Sequence, residues 1–181
     1  MYQGHNPTAI RSQRAMAEAL FELMEKGAYE KITVTGICRQ AGCSRQTFYQ
    51  LFACKEDIIK FVLNSSFDKI LCEMDKEETR ELKYAVRIFL HNVMEIEKQG
   101  MLIIKNGLSH LLFEEMLKAV QAALEGSIKD QPKETLSYAS AFLAGAMGST
   151  AMHWLKSDYK MGEEELAELI CRMFGTNYIG E

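Results

Sequence analysis

Pro7 and Pro132 are the only prolines in the chain, so the long stretch between them lacks the residue that most reliably ends a helix. Apolar residues in that stretch recur at helical rather than strand spacing. Ala17, Leu20, Phe21 and Met24 fall at i, i+3, i+4 and i+7, which predicts a helix from about Thr8 to Lys26 with one face toward a core and Gly27 as its stop. Val86, Phe89, Leu90, Val93 and Met94 form a second stripe, expected to close at Gly100. Leu108, Leu111, Leu112, Met116, Val120 and Leu124 form a third, expected to end at Gly126. Glu134 to Lys156 is apolar almost all round and rich in alanine and glycine, so it has little face to give to water and lets another helix approach closely. Glu163, Glu164 and Glu165 open a last helix, where their charge complements the positive end of its dipole, with Leu166, Leu169, Ile170 and Met173 as its stripe. The expected fold class is all-α.

Lys31 to Phe52 holds two short helical patterns separated by a tight turn. Thr33 can cap the first, whose Val34, Ile37, Cys38 and Ala41 share one side, and Gly42 can end it in the left-handed conformation at little cost. Ser44 can cap the second, in which Phe48 and Leu51 or Phe52 point inward. Two short helices joined this tightly cross at a large angle, the geometry of a helix-turn-helix. A longer helix follows from about Lys55, with Ile58, Ile59, Val62 and Phe61 toward the core. Residues 1–54 are therefore read as an N-terminal three-helix head and residues 55–181 as a second helical domain; the charged run from Asp75 to Lys83, past the fourth helix, is itself read as a boundary between domains, after which a new amphipathic pattern begins.

Overall charge does not point to a nucleic acid, because the formal net charge is −4. The distribution is uneven, however: residues 1–60 carry 8 Lys and Arg against 6 Asp and Glu, and the remainder carries 13 against 19. Five cysteines, an odd number without a CxxC pair, together with no secretory hydrophobic stretch at the start, give the expectation of a reducing cytoplasm. The least polar run, Ala139 to Met152, is shorter than the roughly 20 residues a membrane span needs, so no membrane association is expected.

The second short helix carries the functional signal. Arg45, Gln46, Thr47, Tyr49 and Gln50 are polar positions flanking the inward Phe48, a mixture that suits a helix reading base edges. Arg pairs bidentately with guanine, Gln with adenine, and Thr touches the thymine methyl. Thr33, Thr35, Ser44, Tyr49 and Lys55 lie near helix starts or at the rim, where hydroxyls and an ammonium can hold phosphates. Arg11 and Arg14 can reach phosphates from the first helix, and are equally well ordinary exposed arginines.

The run ALFELMEKGAYEKITVTGICRQAGCSRQTFYQLFACKED, from Ala19 to Asp57, resembles the DNA-binding region of the TetR family without a gap. The shared features are EKITV, the Ile-Cys pair, the AG turn, and TFY…F…K followed by an acidic residue. That resemblance implies that Thr47 and Tyr49 approach DNA, that Lys55 contacts a phosphate, and that Arg45 and Gln46 face the major groove. Leu51 stands where many members carry His, and Gly36 where a polar residue is common. FLAGAMGSTAMHWLKSDYKMGEEELAELI, from Phe142 to Ile170, is similar to the last two helices of a TetR subgroup related to dihydroxyacetone kinase regulators. In that subgroup such helices build a four-helix dimer interface, which implies Phe142, Gly145, Ala146, Ser149, His153, Trp154, Leu166 and Ile170 as interface residues. The resemblance further implies a homodimer on a palindromic double-stranded DNA operator, a repressor whose second domain binds a small-molecule effector, with a co-activator or protein-interaction module of the same fold as the alternative.

Phe89, Val93, Met94, Leu112 and Met116 are candidates to line an effector cavity, since Met adapts to varied ligands, and core filling explains them equally well. His91, His110 and His153 lack metal-ligand spacing, so no metal and no cofactor are expected. Cys43 could act as a redox switch beside the recognition helix, although most unpaired cysteines are simply buried. No phosphate loop or nucleophile motif is present, and an enzyme is not expected.

Overall fold

Asn6 starts the first helix, its side chain accepting the backbone N–H of Thr8 at 3.0 Å, and Pro7 occupies the first turn, where no N–H is needed. The computed structural model describes residues 6–76, 82–127 and 131–174. Every regular element among them is helical: α1 (Pro7–Lys26), a 3₁₀ turn (Tyr29–Lys31), α2 (Val34–Ala41), α3 (Arg45–Leu51), α4 (Glu56–Lys76), α5 (Leu82–Glu95), α6 (Glu97–Lys105), α7 (Ser109–Ser127), α8 (Lys133–Lys156) and α9 (Glu163–Phe174). The middle of the charged run from Asp75 to Lys83, residues 77–81, lies outside the described residues. No helix among those described is long and apolar enough to cross a membrane.

Two apolar cores organise the chain. The first gathers Met16, Leu20 and Met24 of α1, Ile37 of α2, Phe48 of α3 and Ile58, Ile59 and Leu63 of α4, and it continues into Ile103 of α6 and Leu111 of α7. The second joins Val86 and Leu90 of α5, Trp154 of α8, and Leu166, Ala167 and Ile170 of α9. Helix α4 packs on α1 as well as on α5 and α7, so one rod touches both the head and the body.

The stripes of α1, α4 and α7 face inward as their spacing requires, while three sequence expectations change. Gly100 does not close the helix begun at Leu82: α5 stops at Glu95, and Gly100 sits buried inside α6. A Cβ built there would meet Leu155 Cδ1 of α8 at 4.0 Å, an ordinary van der Waals contact. Helix α7 runs to Ser127, one residue past the expected Gly126. Met173 leaves the α9 core stripe and is 58% exposed, whereas the adjacent Phe174 packs against the second core.

Gly42 ends α2 at φ 64°, ψ 28°, with open space around a built Cβ, whereas Gly27 ends α1 in extended backbone at φ −171°, also in open space. The same substitution therefore has opposite signs at the two sites. Gly42→Ala should cost roughly 1–2 kcal/mol from left-handed strain, and Gly27→Ala should be neutral or add up to about 1 kcal/mol by restricting the unfolded chain. Urea denaturation midpoints of the two variants check this; equal shifts would contradict it.

Candidate nucleic-acid interface

Helix α3 owes its placement to a cap at one end and aromatic burial at the other. The Ser44 hydroxyl oxygen accepts the backbone N–H of Thr47 at 3.0 Å and lies 2.8 Å from the Thr47 hydroxyl. Phe48 is fully buried, and Leu51 and Phe52 are nearly so. At 100° per residue that arrangement turns Arg45, Gln46, Tyr49 and Gln50 outward, and all four are exposed, with Thr47 half-buried between the two sides. Tyr49, 55% exposed, rests edge-on against Phe48 with centroids 5.2 Å apart, and the Arg45 guanidinium carbon lies 6.0 Å from its ring centre. The outward face is thus presented on a fixed base. Thr33 caps α2 by accepting the Gly36 N–H at 3.1 Å, and Thr33 and Thr35 are both exposed at the start of that helix, whose first turn holds no acidic residue. The positive end of its dipole is left open to an anion.

Lys55 is half-buried and performs a task that its sequence position did not reveal. Its ammonium donates to the carbonyl oxygens of Tyr29 at 2.8 Å and Ile32 at 3.2 Å and stands 3.9 Å from the Tyr29 ring centre. Two of its three donors therefore tie the start of α4 to the 3₁₀ turn that leads into α2. Burial, and then the neighbouring Glu56 carboxylate, push the Tyr29 phenol far above its usual range, so it stays protonated at physiological pH. The other face of the same turn is held from the body: Asn106 accepts the Tyr29 N–H at 3.0 Å and donates to Leu102 O at 2.8 Å. Sequence reasoning missed Asn106. Its Asn-Gly pair signals a turn, with Gly107 at φ 73°, but no local pattern names a partner 77 residues away.

Of the cavity candidates, Phe89, Val93, Leu112 and Met116 line one space of about 140 Å³ bordered by α4 to α8. Met94 does not. One residue past Val93, it is carried round α5 to a surface groove shared with Glu25 and Lys98.

The interface candidates divide in the same way. Phe142, Ser149 and His153 are exposed along α8, and Gly145 and Ala146 are half-exposed between them. Tyr138 at 72%, Phe142 at 66% and Met173 at 58% add large exposed side chains to this surface. Trp154, Leu166 and Ile170 are corrected: each is at most 5% exposed and belongs to the protomer's own second core. The Trp154 indole donates to Met161 O at 2.7 Å and meets the Tyr159 ring edge-on, bracing the turn between α8 and α9 in which Asp158 and Tyr159 take positive φ. Among the described residues no three His, Cys, Asp or Glu side chains cluster as a metal site would require, and Cys43 is half-buried with its thiol 3.5 Å from Ala41 O.

A capped pair of short helices on a three-helix head, joined by one long helix to a helical body, is a helix-turn-helix arrangement. Residues 87–175 match the TetR-type family described as transcriptional regulator C-terminal region. The chain is 32% identical over 63 residues to the HTH-type dhaKLM operon transcriptional activator DhaS of Lactococcus lactis, a match that spans 35% of this chain and 34% of that relative. In structure it is similar to Lin0861 from Listeria innocua, with TM-score 0.79 and 16% identity over 96% of this chain and 94% of that one. It is also similar to a TetR transcriptional regulator from Streptococcus agalactiae, with TM-score 0.61 and 20% identity over 92% and 94%. The chain is thus similar to TetR-family transcriptional regulators, through a family match over just under half its length and through its fold.

Asn106→Ala removes the acceptor for the partly buried Tyr29 N–H and should cost about 1–3 kcal/mol. Chemical denaturation measures this, and an unchanged midpoint would show that the contact does not hold head to body.

Proposed function

We propose that this protein is a ligand-responsive, sequence-specific DNA-binding regulator that acts as a homodimer on a pseudo-palindromic operator. The observation that carries the reading is the outward face of α3. Arg45, Gln46, Tyr49 and Gln50 stand exposed on a helix whose opposite side is locked by Phe48, beside the open start of α2. Arg45 and Gln46 read base edges, while Thr33, Thr35, Ser44, Thr47 and Tyr49 set the register on the phosphates. Lys55 holds the turn before α2 and lies at the rim, where its third donor reaches a phosphate. In this reading residues 1–54 serve as the DNA-binding domain and residues 55–181 as the effector-binding and dimerisation domain.

The exposed Tyr138, Phe142 and Met173, beside the small Gly145 and Ala146 and the polar Ser149 and His153 on the same α8 face, support self-association, because a monomer in water gains nothing by exposing the large apolar groups. Pairing two protomers through α8 and α9 places two α3 helices in successive major grooves about 34 Å apart. An effector in the cavity between α4 and α8 acts by binding one spacing of the heads better than the other. The sign of regulation has two forms: occlusion of a promoter, as a repressor, or recruitment, as the Lactococcus relative's description as an activator favours.

Footprinting of the chain's own upstream DNA should reveal two protected half-sites. Arg45→Ala and Gln46→Ala should each weaken the specific site by about 1–3 kcal/mol, five- to over a hundredfold, and leave non-specific binding nearly unchanged. Equal loss on specific and random duplex would contradict base reading. Phe142→Glu places a charge in the middle of the proposed contact, so sedimentation should show a dimer in the parent protein and a monomer in the variant. A variant that remains fully dimeric would rule that face out.

A further inference from the structure

Two apolar cavities lie end to end in the body and share a wall made by Phe67, Phe89 and Met116. The first, of about 140 Å³, has polar groups from Asn92, Ser109 and Ser149 along an otherwise apolar lining. The second, of about 260 Å³, reaches from that wall to Met74, Leu82 and Phe174 and is lined by carbon and sulfur side chains alone. Neither reaches the roughly 300 Å³ at which ligand pockets begin, whereas the two joined fall within the usual range. Whether they join depends on the wall.

Phe67 and Phe89 are stiff; Met116 is not. Its unbranched thioether has three rotatable bonds, and its terminal methyl sits in a notch on α8 left by Gly148, where an added Cβ would collide with it. The side chain is buried, and a thioether needs no hydrogen-bond partner to hold its place. Neither cavity is lined by a charged side chain, so the buried part of a ligand must be uncharged, since a lone buried charge is strongly disfavoured. Asn92 is oriented by Ser66, whose hydroxyl donates to its Oδ1 and whose carbonyl oxygen accepts from its Nδ2 at 3.4 Å, and it keeps hydrogen-bonding capacity beyond those two contacts.

We propose that Met116 is a movable partition, and that the effector is an unbranched aliphatic chain with a neutral polar end. The polar end lies in the first cavity near Asn92, and the chain displaces the Met116 methyl from its Gly148 notch to enter the second. This deepens the effector-binding reading above and rests on it.

The test titrates 1-hexanol and 1-decanol into the full-length protein by displacement of the fluorescent probe N-phenyl-1-naphthylamine. A chain that keeps finding apolar space gains about fourfold per methylene, so 1-decanol should bind on the order of a hundredfold tighter than 1-hexanol. Met116→Trp makes the wall fixed; whatever its affinity for 1-hexanol, it should lose most of the gain with length. Independently of whether that variant folds, the ¹³C-methyl resonance of Met116, assigned with Met116→Leu, should move with 1-decanol and stay in place with 1-hexanol. Equal affinities for the two alcohols, an undiminished length gain in Met116→Trp, or a Met116 signal indifferent to 1-decanol would each overturn the partition while leaving a short-ligand cavity standing. Binding of neither alcohol would overturn the partition and the effector reading together.

Discussion

Burial of Phe48 decides what the head of this protein can do. It lies at the centre of a cluster drawn from α1, α2, α3 and α4, with Phe52 at 5.9 Å and Tyr49 at 5.2 Å between ring centres. A large aromatic fully removed from water is worth a few kcal/mol, far more than any single exposed contact on so short a helix. That anchor sets the rotation of α3 about its axis, and the rotation alone determines that Arg45, Gln46, Tyr49 and Gln50 face outward together. The Ser44 cap and the left-handed Gly42 act on the same outcome from the other end, by fixing where the helix starts and how sharply the chain turns into it.

The head is in turn fastened to the body at one turn of backbone. Tyr29 is gripped on two sides, its carbonyl by Lys55 at the start of α4 and its N–H by Asn106 at the end of α6. Ile103 of α6 and Leu111 of α7 enter the same core as Phe48. Under the proposed function, a ligand that moves α6 or α4 therefore acts on the backbone that leads into α2, through contacts with named donors and acceptors and without any need for a diffuse path.

Legibility followed the range of the interactions. Caps at Thr33 and Ser44, the turn at Gly42 and the inward stripe of α1 depend on neighbours within four residues, and periodicity with turn chemistry exposes them. Gly100 looked like a stop because glycine commonly ends helices, whereas its place inside α6 is set by burial against the rest of the body. Trp154 was expected at an interface through the resemblance to a subgroup alone, and only the fold reveals that it meets Met161 and Tyr159 of its own chain. Met94 and Met173 each missed by a single helical step, the difference between one face and the next. The cavity itself was only partly visible, since the pairing of Met116 with Gly148 joins two helices whose relative height no sequence pattern specifies.

The central claim, that the outer face of α3 is the surface that meets DNA, is tested most directly by NMR of the isotope-labelled protein titrated with duplex carrying its upstream region. The account predicts that amide and side-chain signals of Arg45, Gln46, Thr47, Tyr49 and the start of α2 shift first and most, while those of the exposed α8 stripe hold still. Perturbation centred on α8 and α9, or none in the head at saturating duplex, would contradict it.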